Sequence, residues 1–192
     1  MNRNNPKNRV DKSLTKLSKF LSLVLRHQPE TIDLKLDPQG WADVDDLLIK
    51  MNCHGQGISI NKDQLEKIVA ENDKQRFCFN GDHTRIRANQ GHSIAIDLSL
   101  SSQTPPELLF HGTATRFLDS IRQQGLLSQS RQYVHLSDKR ITAETVGKRH
   151  GKPVILEVDS GEMTRQGLDF FLSNNGVWLT KFVPAHYITF PS

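Results

Sequence analysis

Two cysteines in 192 residues, with no CxxC and no paired histidines near either, leave nothing from which to build a disulfide scaffold or a zinc site. No apolar run approaches the ~18 to 20 residues that a bilayer-crossing helix needs. The opening MNRNNPKNRVDKS also lacks the apolar stretch of a secretory signal. These absences predict a cytoplasmic chain with no membrane partner and no bound metal. The usual catalytic strings are missing too: there is no P-loop, no GxSxG elbow and no HExxH. The nearest approach to a dinucleotide fingerprint, Gly55-Gln56-Gly57, has Ile60 where the third glycine belongs and sits between helices. Asp45-Asp46 is the only close carboxylate pair that draws the eye, and it belongs to the polar face of an amphipathic helix.

What is present is the balance of a folded protein, 36% apolar and 24% charged with 12 Gly and 8 Pro, enough for one domain or two small ones. The net charge of +4 is mild, but it is unevenly spread. Residues 1–26 carry Arg3, Lys7, Arg9, Lys12, Lys16, Lys19 and Arg26 against Asp11 alone, and residues 139–152 carry Lys139, Arg140, Lys148, Arg149 and Lys152 against Glu144. Two such segments suggest a polyanion as partner.

The spacing of Leu14, Leu17, Leu21, Val24 and Leu25 predicts a helix from Asp11 to the Arg26-His27 pair, stopped by Pro29, with Lys12, Lys16, Lys19 and Arg26 on its other face. A second helix is expected over 44–51. A third follows Asn61 as N-cap, with Leu65, Ile68 and Val69 inward. QRFCF and TRIRA then read as a hairpin turning at Asn80-Gly81-Asp82. Three helices followed by a hairpin is the order of a winged helix-turn-helix, here over residues 1–97. A Ser- and Pro-rich linker, 98–106, separates it from 107–192. That second half alternates strands (LLFHGT, YVHLS, PVILEV, DFFLS, GVWLT, HYITF) with two helices, TRFLDSIRQQG closed by Gly125 and TAETVGKRHG capped by Ser137 or Asp138. The fold class is therefore α+β.

Single arginines and histidines recur at element ends and turns, where functional side chains concentrate. They are Arg26-His27, Arg76, the stretch Gln90-Gly91-His92-Ser93, His111-Gly112-Thr113, and Arg131 with His135. Several guanidinium forks converging with a histidine make a phosphate site, because arginine binds phosphate oxygens bidentately and stays charged at any working pH.

Taken together, LSKFLSLVLRHQP, GWADVDDLL, ENDKQRF, RANQGHS, LFHGT, GLLSQSRQYVHLS and NNGVWLT, in this order, closely resemble the NAD-dependent RNA 2′-phosphotransferase family over nearly the whole chain. The resemblance implies an N-terminal winged-helix RNA lobe and a C-terminal NAD lobe like that of ADP-ribosyltransferases, with the active site between them. It implies that the RNA 2′-phosphate attacks C1″ of the nicotinamide ribose and expels nicotinamide. The ribose 2″-hydroxyl of the resulting RNA-phospho-ADP-ribose then attacks the phosphate, leaving 2′-OH RNA and ADP-ribose 1″,2″-cyclic phosphate.

Carried over by position, the family's catalytic set falls on Arg26, His27, Arg76 and Arg131. The arginines are expected to position the phosphate and stabilise its developing charge, and His27 to act as general acid toward the departing 2′-oxygen. His111 matches the residue that meets the adenosine ribose, Gly112 the one whose main chain holds the nicotinamide amide, and Thr113, His135 and Ser137 line the same pocket. Val177 stands where related enzymes carry a glutamate; an anionic phosphate nucleophile needs no carboxylate to activate it. Lys19, Gln90, Gly91, His92 and Ser93 are expected on the RNA side. The partner implied is a tRNA-like RNA bearing a 2′-phosphate, and the chain is taken as a monomer. Two other readings compete with this one: ADP-ribosylation of terminal RNA or DNA phosphates, and a non-catalytic winged-helix regulator that senses NAD.

Overall fold

The leucine row of the first helix organises the N-terminal half. The computed structural model describes residues 6–55, 59–72 and 74–191, with side chains from residue 14 onward. In it α1 (Pro6–Arg26) buries Leu17, Leu21, Val24 and Leu25 along one face. The helix begins earlier than the expected Asp11, at Pro6, whose fixed φ suits a first turn where a missing N–H costs nothing. Arg3 and the side chains of Lys7, Arg9 and Lys12, part of the first basic segment, lie outside the described residues. The helix ends where the N–H groups of His27 and Gln28 both donate to the Leu23 carbonyl at 2.9 Å, and a 3-10 turn, Pro29–Ile32, carries the chain away.

α2 (Val44–Cys53) starts on the Asp43 carboxylate, which accepts from the Asp46 N–H. α3 (Lys62–Ala70) starts on a reciprocal capping box between Asn61 and Gln64, so Asn61 is the expected N-cap, with Leu65 and Ile68 buried. Three short antiparallel strands complete this half, β1 (Ala42–Asp43), β2 (Phe77–Phe79) and β3 (Arg85–Ala88), in the order β1-β3-β2. The expected tight turn at Asn80-Gly81-Asp82 is instead a wider loop over 80–84. The Asn80 Oδ1 accepts from the Arg85 N–H at 2.8 Å, Asp82 Oδ1 accepts from both the N–H and the hydroxyl of Thr84, and His83 takes φ +58°. Side-chain oxygens satisfying the loop's own N–H groups let the connection lengthen without loss of register.

The chain forms two compact units, Met1–Leu98 and Ser99–Ser192, each with its own apolar core. The second unit contains β4 (Leu108–Ala114), α4 (Leu118–Gln124), β5 (Leu126–Leu127), β6 (Val134–Leu136), α5 (Arg140–Gly147), β7 (Pro153–Asp159), α6 (Ser160–Arg165), β8 (Phe171–Leu172), β9 (Trp178–Thr180), β10 (Phe182–Val183) and β11 (Ile188–Thr189). They assemble into two three-stranded sheets, β11-β7-β4 and β6-β9-β8, and a β10-β5 pair, all antiparallel. The Ser- and Pro-rich segment is fastened to this unit: Ser102 bridges Phe171, the Gln103 N–H donates to Phe170, and the Pro106 carbonyl accepts from the Ser160 hydroxyl. Helices and small antiparallel sheets side by side make the molecule α+β.

The two larger sheets of the second unit meet at one point. Phe110 of β4 and Ser137, just past β6, exchange both main-chain hydrogen bonds at 2.8 and 2.9 Å. Beyond that bridge the chain after β6 departs into α5, which packs on β4 through glycine. A Cβ on Gly112 would stand 1.7 Å from the Ala143 carbonyl oxygen, and one on Gly147 2.7 Å from that of Thr113. The N-cap of α5 is Lys139, not Ser137 or Asp138, and it makes no side-chain cap. The Ser137 hydroxyl is spent one step earlier, accepting from the Lys139 N–H at 3.0 Å.

Candidate active site

In the first unit the end of α1, the start of β2 and the exit of β3 converge on the main chain of Arg76. Its carbonyl accepts from the Asn89 N–H at 2.9 Å and from Nη2 of Arg26 at 3.4 Å. The Arg26 guanidinium also lies 5.9 Å from the centre of the Phe77 ring. It is half-buried rather than solvated like Lys16 and Lys19 earlier on the same helix, because β2 begins beside it. The Arg76 side chain is held by Asn72, whose Oδ1 accepts from Nη1 at 3.2 Å. Ser93 fastens the helix end: its N–H donates to the Arg26 carbonyl at 3.0 Å, and its hydroxyl lies 2.9 Å from Nδ1 of His27. Thus Arg26, His27, Arg76 and Ser93 are brought together, and Gly91, at φ +88°, supplies the turn that returns the chain to α1.

His92 takes a different place from the one expected of an RNA-facing residue. Its ring is 1% exposed, and neither nitrogen has a hydrogen-bond partner. Burial, with Arg26, His27 and Arg87 adding repulsion, pushes its pKa down to about 4. It is a neutral ring beneath the cluster, not a surface cation. Gln90 likewise buries a side-chain oxygen without a partner. Lys19 is exposed on α1, where it lines a groove shared with α3.

The second unit holds a relay of two hydrogen bonds. Nη1 of Arg131 donates to Nδ1 of His135 at 3.0 Å, and the His135 carbonyl accepts from Nδ1 of His111 at 3.0 Å. Since arginine only donates, Nδ1 of His135 carries a lone pair. Burial pushes the His111 pKa down against the opposing pull of the His135 carbonyl, with His150 and Arg131 repelling further. His111 is therefore neutral near pH 7, with its proton on Nδ1 and a lone pair on Nε2. Desolvation also lowers the pKa of Arg131, although guanidinium stays charged.

Gly112 follows His111 on β4. Paired residues of an antiparallel ladder alternate in direction. Because Phe110 spends its N–H and C=O on Ser137, the main-chain groups of Gly112 also point away from β7, toward the side of the bridge. Thr113 is buried against α5. Val177 is half-buried just before β9, its N–H donating to the Ser173 hydroxyl at 3.0 Å. The register that pairs Leu136 with Trp178, continued by one residue, sets Val177 beside Ser137.

Several arginines outside these clusters are ion-paired, Arg140 with Glu157, Arg165 with Glu107 and Glu162, and Arg85 with Asp37. Arg87 instead meets the Gln39 carbonyl and the Trp41 ring, and Arg116 and Arg122 lie over phenylalanine rings. In the clusters Arg76 is held by an amide and Arg131 by an imidazole, while Arg26 meets a carbonyl and a ring. Asn72 and Asn89 were not singled out from sequence, although both lie in the stretches ENDKQRF and RANQGHS; an asparagine beside a phosphate-type arginine is the signal that could have found them. Among the described residues no group of three or more His, Cys, Asp or Glu could hold a metal ion, and no helix is long and apolar enough to cross a membrane.

Arginines gathered with a histidine have the chemistry of an enzyme that handles phosphate, and the comparisons with known proteins give the family. Residues 12–182 match the model of the RNA 2'-phosphotransferase, Tpt1 / KptA family. A probable RNA 2'-phosphotransferase of Agrobacterium fabrum is 55% identical over 175 residues, covering 91% of this chain and 93% of that one. One from Flavobacterium johnsoniae is 53% identical over 176 residues, covering 92% and 96%. Another, from Rhodopirellula baltica, is 48% identical over 185 residues, covering 96% and 100%. The chain belongs to the RNA 2'-phosphotransferase family and is a transferase.

Proposed function

We propose that this protein removes an internal 2′-phosphate from RNA with NAD as the acceptor, and that Arg26, His27, Arg76 and Arg131 are its catalytic residues. The observation that carries the reading is the gathering of Arg26, His27 and Arg76 at one point of the first unit, with Arg76 held by the Asn72 amide, and in the second an arginine, Arg131, hydrogen-bonded to an imidazole. Guanidinium groups bind phosphoryl oxygens in the ground state, which positions them, and stabilise their charge in the transition state. His27, hydrogen-bonded to Ser93, is the group that gives a proton to the RNA 2′-oxygen in this reading, since that oxygen is a poor leaving group without one.

The groups of the second unit fit NAD. A neutral His111 offers Nε2 as acceptor to a ribose hydroxyl, and the outward N–H and C=O of Gly112 suit a primary amide such as that of nicotinamide. Val177, beside Ser137, leaves that edge without a carboxylate that would repel an incoming phosphate. When bound, NAD supplies an electrophilic ribose carbon with nicotinamide as leaving group. The two small sheets joined at a single bridge and then parting support an ADP-ribosyltransferase-like lobe over residues 107–192. The three helices with a short sheet support a winged-helix lobe over 1–97, joined by 98–106.

The test is incubation of the protein with NAD and a short oligoribonucleotide bearing one internal 2′-phosphate, both products being read by mass spectrometry. Loss of one phosphate from the RNA together with ADP-ribose 1″,2″-cyclic phosphate establishes the reading. An RNA-ADP-ribose adduct alone points to transfer that stops halfway, and neither product from folded protein overturns the assignment.

A further inference from the structure

A groove of about 530 Å³ lies between α1 and α3 of the first unit. Lys19, Ser18 and Ser22 of α1 line it, together with Lys67 of α3, Lys74 beyond that helix, and Arg76. Leu14 and Ile68 add apolar lining, and among the described lining residues Glu71 is the one acid, 3.9 Å from Lys67. Four cations, serine hydroxyls and a small apolar patch suit a chain of phosphates and riboses with room for a stacked base.

We infer that this groove holds the ribose-phosphate backbone of the nucleotides flanking the 2′-phosphorylated one, with Lys67 and Lys74 as phosphate contacts. The inference rests on the proposed function and adds to it where the rest of the RNA runs. Arg76 joins the two: it lines the groove, and its guanidinium is held by Asn72, itself a lining residue. A strand in the groove thereby delivers its 2′-phosphate to the arginine cluster. A second cationic surface of this unit, Arg85 and Arg87 beside Trp41, has both guanidinium groups over the Trp41 ring, at 5.8 and 4.5 Å, and serves as the comparison in the test.

The test titrates the full-length protein, without NAD, against a fluorescently labelled hexaribonucleotide with one internal 2′-phosphate, following anisotropy at several salt concentrations. Each lost single-strand phosphate contact makes the slope of log affinity against log salt shallower by about 0.7, so Lys67→Ala/Lys74→Ala is expected to flatten it by about 1.4 and to weaken binding on the order of tenfold at low salt. Lys67→Arg/Lys74→Arg keeps the slope. Both lysines are exposed, so circular dichroism and Tm are expected to stay as in the parent protein. An unchanged slope in the double alanine variant overturns the assignment, as does a slope that flattens only in Arg85→Ala/Arg87→Ala. Substrates extended only 5′ or only 3′ of the phosphorylated nucleotide then show which flank occupies the groove: one gains kcat/KM over the unextended substrate, and that gain disappears in the double alanine variant. Salt-dependent binding through the groove without phosphate release would overturn the proposed function and leave this inference standing; turnover with an unaltered slope would do the reverse.

Discussion

Arg131 reaches along its own chain to donate a hydrogen bond, at 3.0 Å, to Nδ1 of His135, and thereby decides which nitrogen of that ring carries the proton. Lysine at 131 keeps the charge and loses the planar fork, so it can neither orient His135 in the same way nor bind two phosphoryl oxygens together. Arg131→Lys is expected to lower kcat by about 10²- to 10³-fold, the usual cost of one preorganised donor to a developing charge. Because the substitution keeps the charge and Arg131 belongs to no helix or strand, the far-UV spectrum is expected to stay unchanged. Steady-state turnover of the 2′-phosphorylated oligonucleotide checks this, and activity within threefold of the parent would remove Arg131 from the catalytic set.

Arg76→Ala separates chemistry from architecture. The groups that Arg26 and Asn89 bond at this position are main-chain ones, the carbonyl of residue 76, and survive truncation of the side chain. Turnover is expected to fall by orders of magnitude while stability changes by no more than about 1 kcal/mol. Parallel denaturation curves and rate measurements read the two effects independently; equal losses in both would make Arg76 structural.

His27→Ala is expected to slow release of the RNA 2′-oxygen more than formation of the adduct, since only the former needs a proton on a poor leaving group. A slower-migrating RNA species should accumulate on a denaturing gel when NAD is added. Disappearance of substrate at the parent rate, with no such species, would refute the general-acid role.

His92 makes stability depend on pH in a defined direction. Unfolded, it takes up a proton as pH falls through about 6.5. Folded, it resists until about 4, chiefly because it is buried. Between those values the unfolded state binds more protons, so stability falls with falling pH, by at most about 1.4 kcal/mol per pH unit for this group, and is unaffected above the window. Burial of His111 acts in the same sense. Urea denaturation between pH 7.5 and 4.5 is expected to show the decline, and His92→Gln to make it shallower whatever it does to stability at pH 7.5.

Gly112→Ala tests the packing of α5. The added methyl would stand 1.7 Å from the Ala143 carbonyl oxygen, a backbone atom that cannot swing aside. The cost is expected to reach or exceed the ~1 to 3 kcal/mol of an overpacked core. A lowered Tm measures it, and an unchanged Tm would mean that α5 can slide along β4 freely.

The parts legible in the sequence are those written in local pattern. The Leu17, Leu21, Val24 and Leu25 row sets the buried face of α1, Asn61 starts α3, and the periods of RFCF and RIRA mark two strands, because helix and strand periodicity and capping depend on residues within a turn or two. The arginines and histidines of the candidate site were legible as residue types that suit phosphate, and the seven matching stretches carried the family.

Other features depended on partners distant in the chain. β1 is two residues long and exists only because Ala42 and Asp43 find Ile86 and Arg85. Asn72 and Asn89 look like ordinary loop residues until folding sets one against the Arg76 guanidinium and the other against its carbonyl. His92, expected on the RNA side, becomes a neutral buried ring once the fold encloses it. The amino-acid sequence by itself determined which side chains are available and the local elements that carry them. Tertiary structure alone decided which of those side chains keep their charge, because solvation and neutral hydrogen-bond partners depend on contacts that no local pattern specifies.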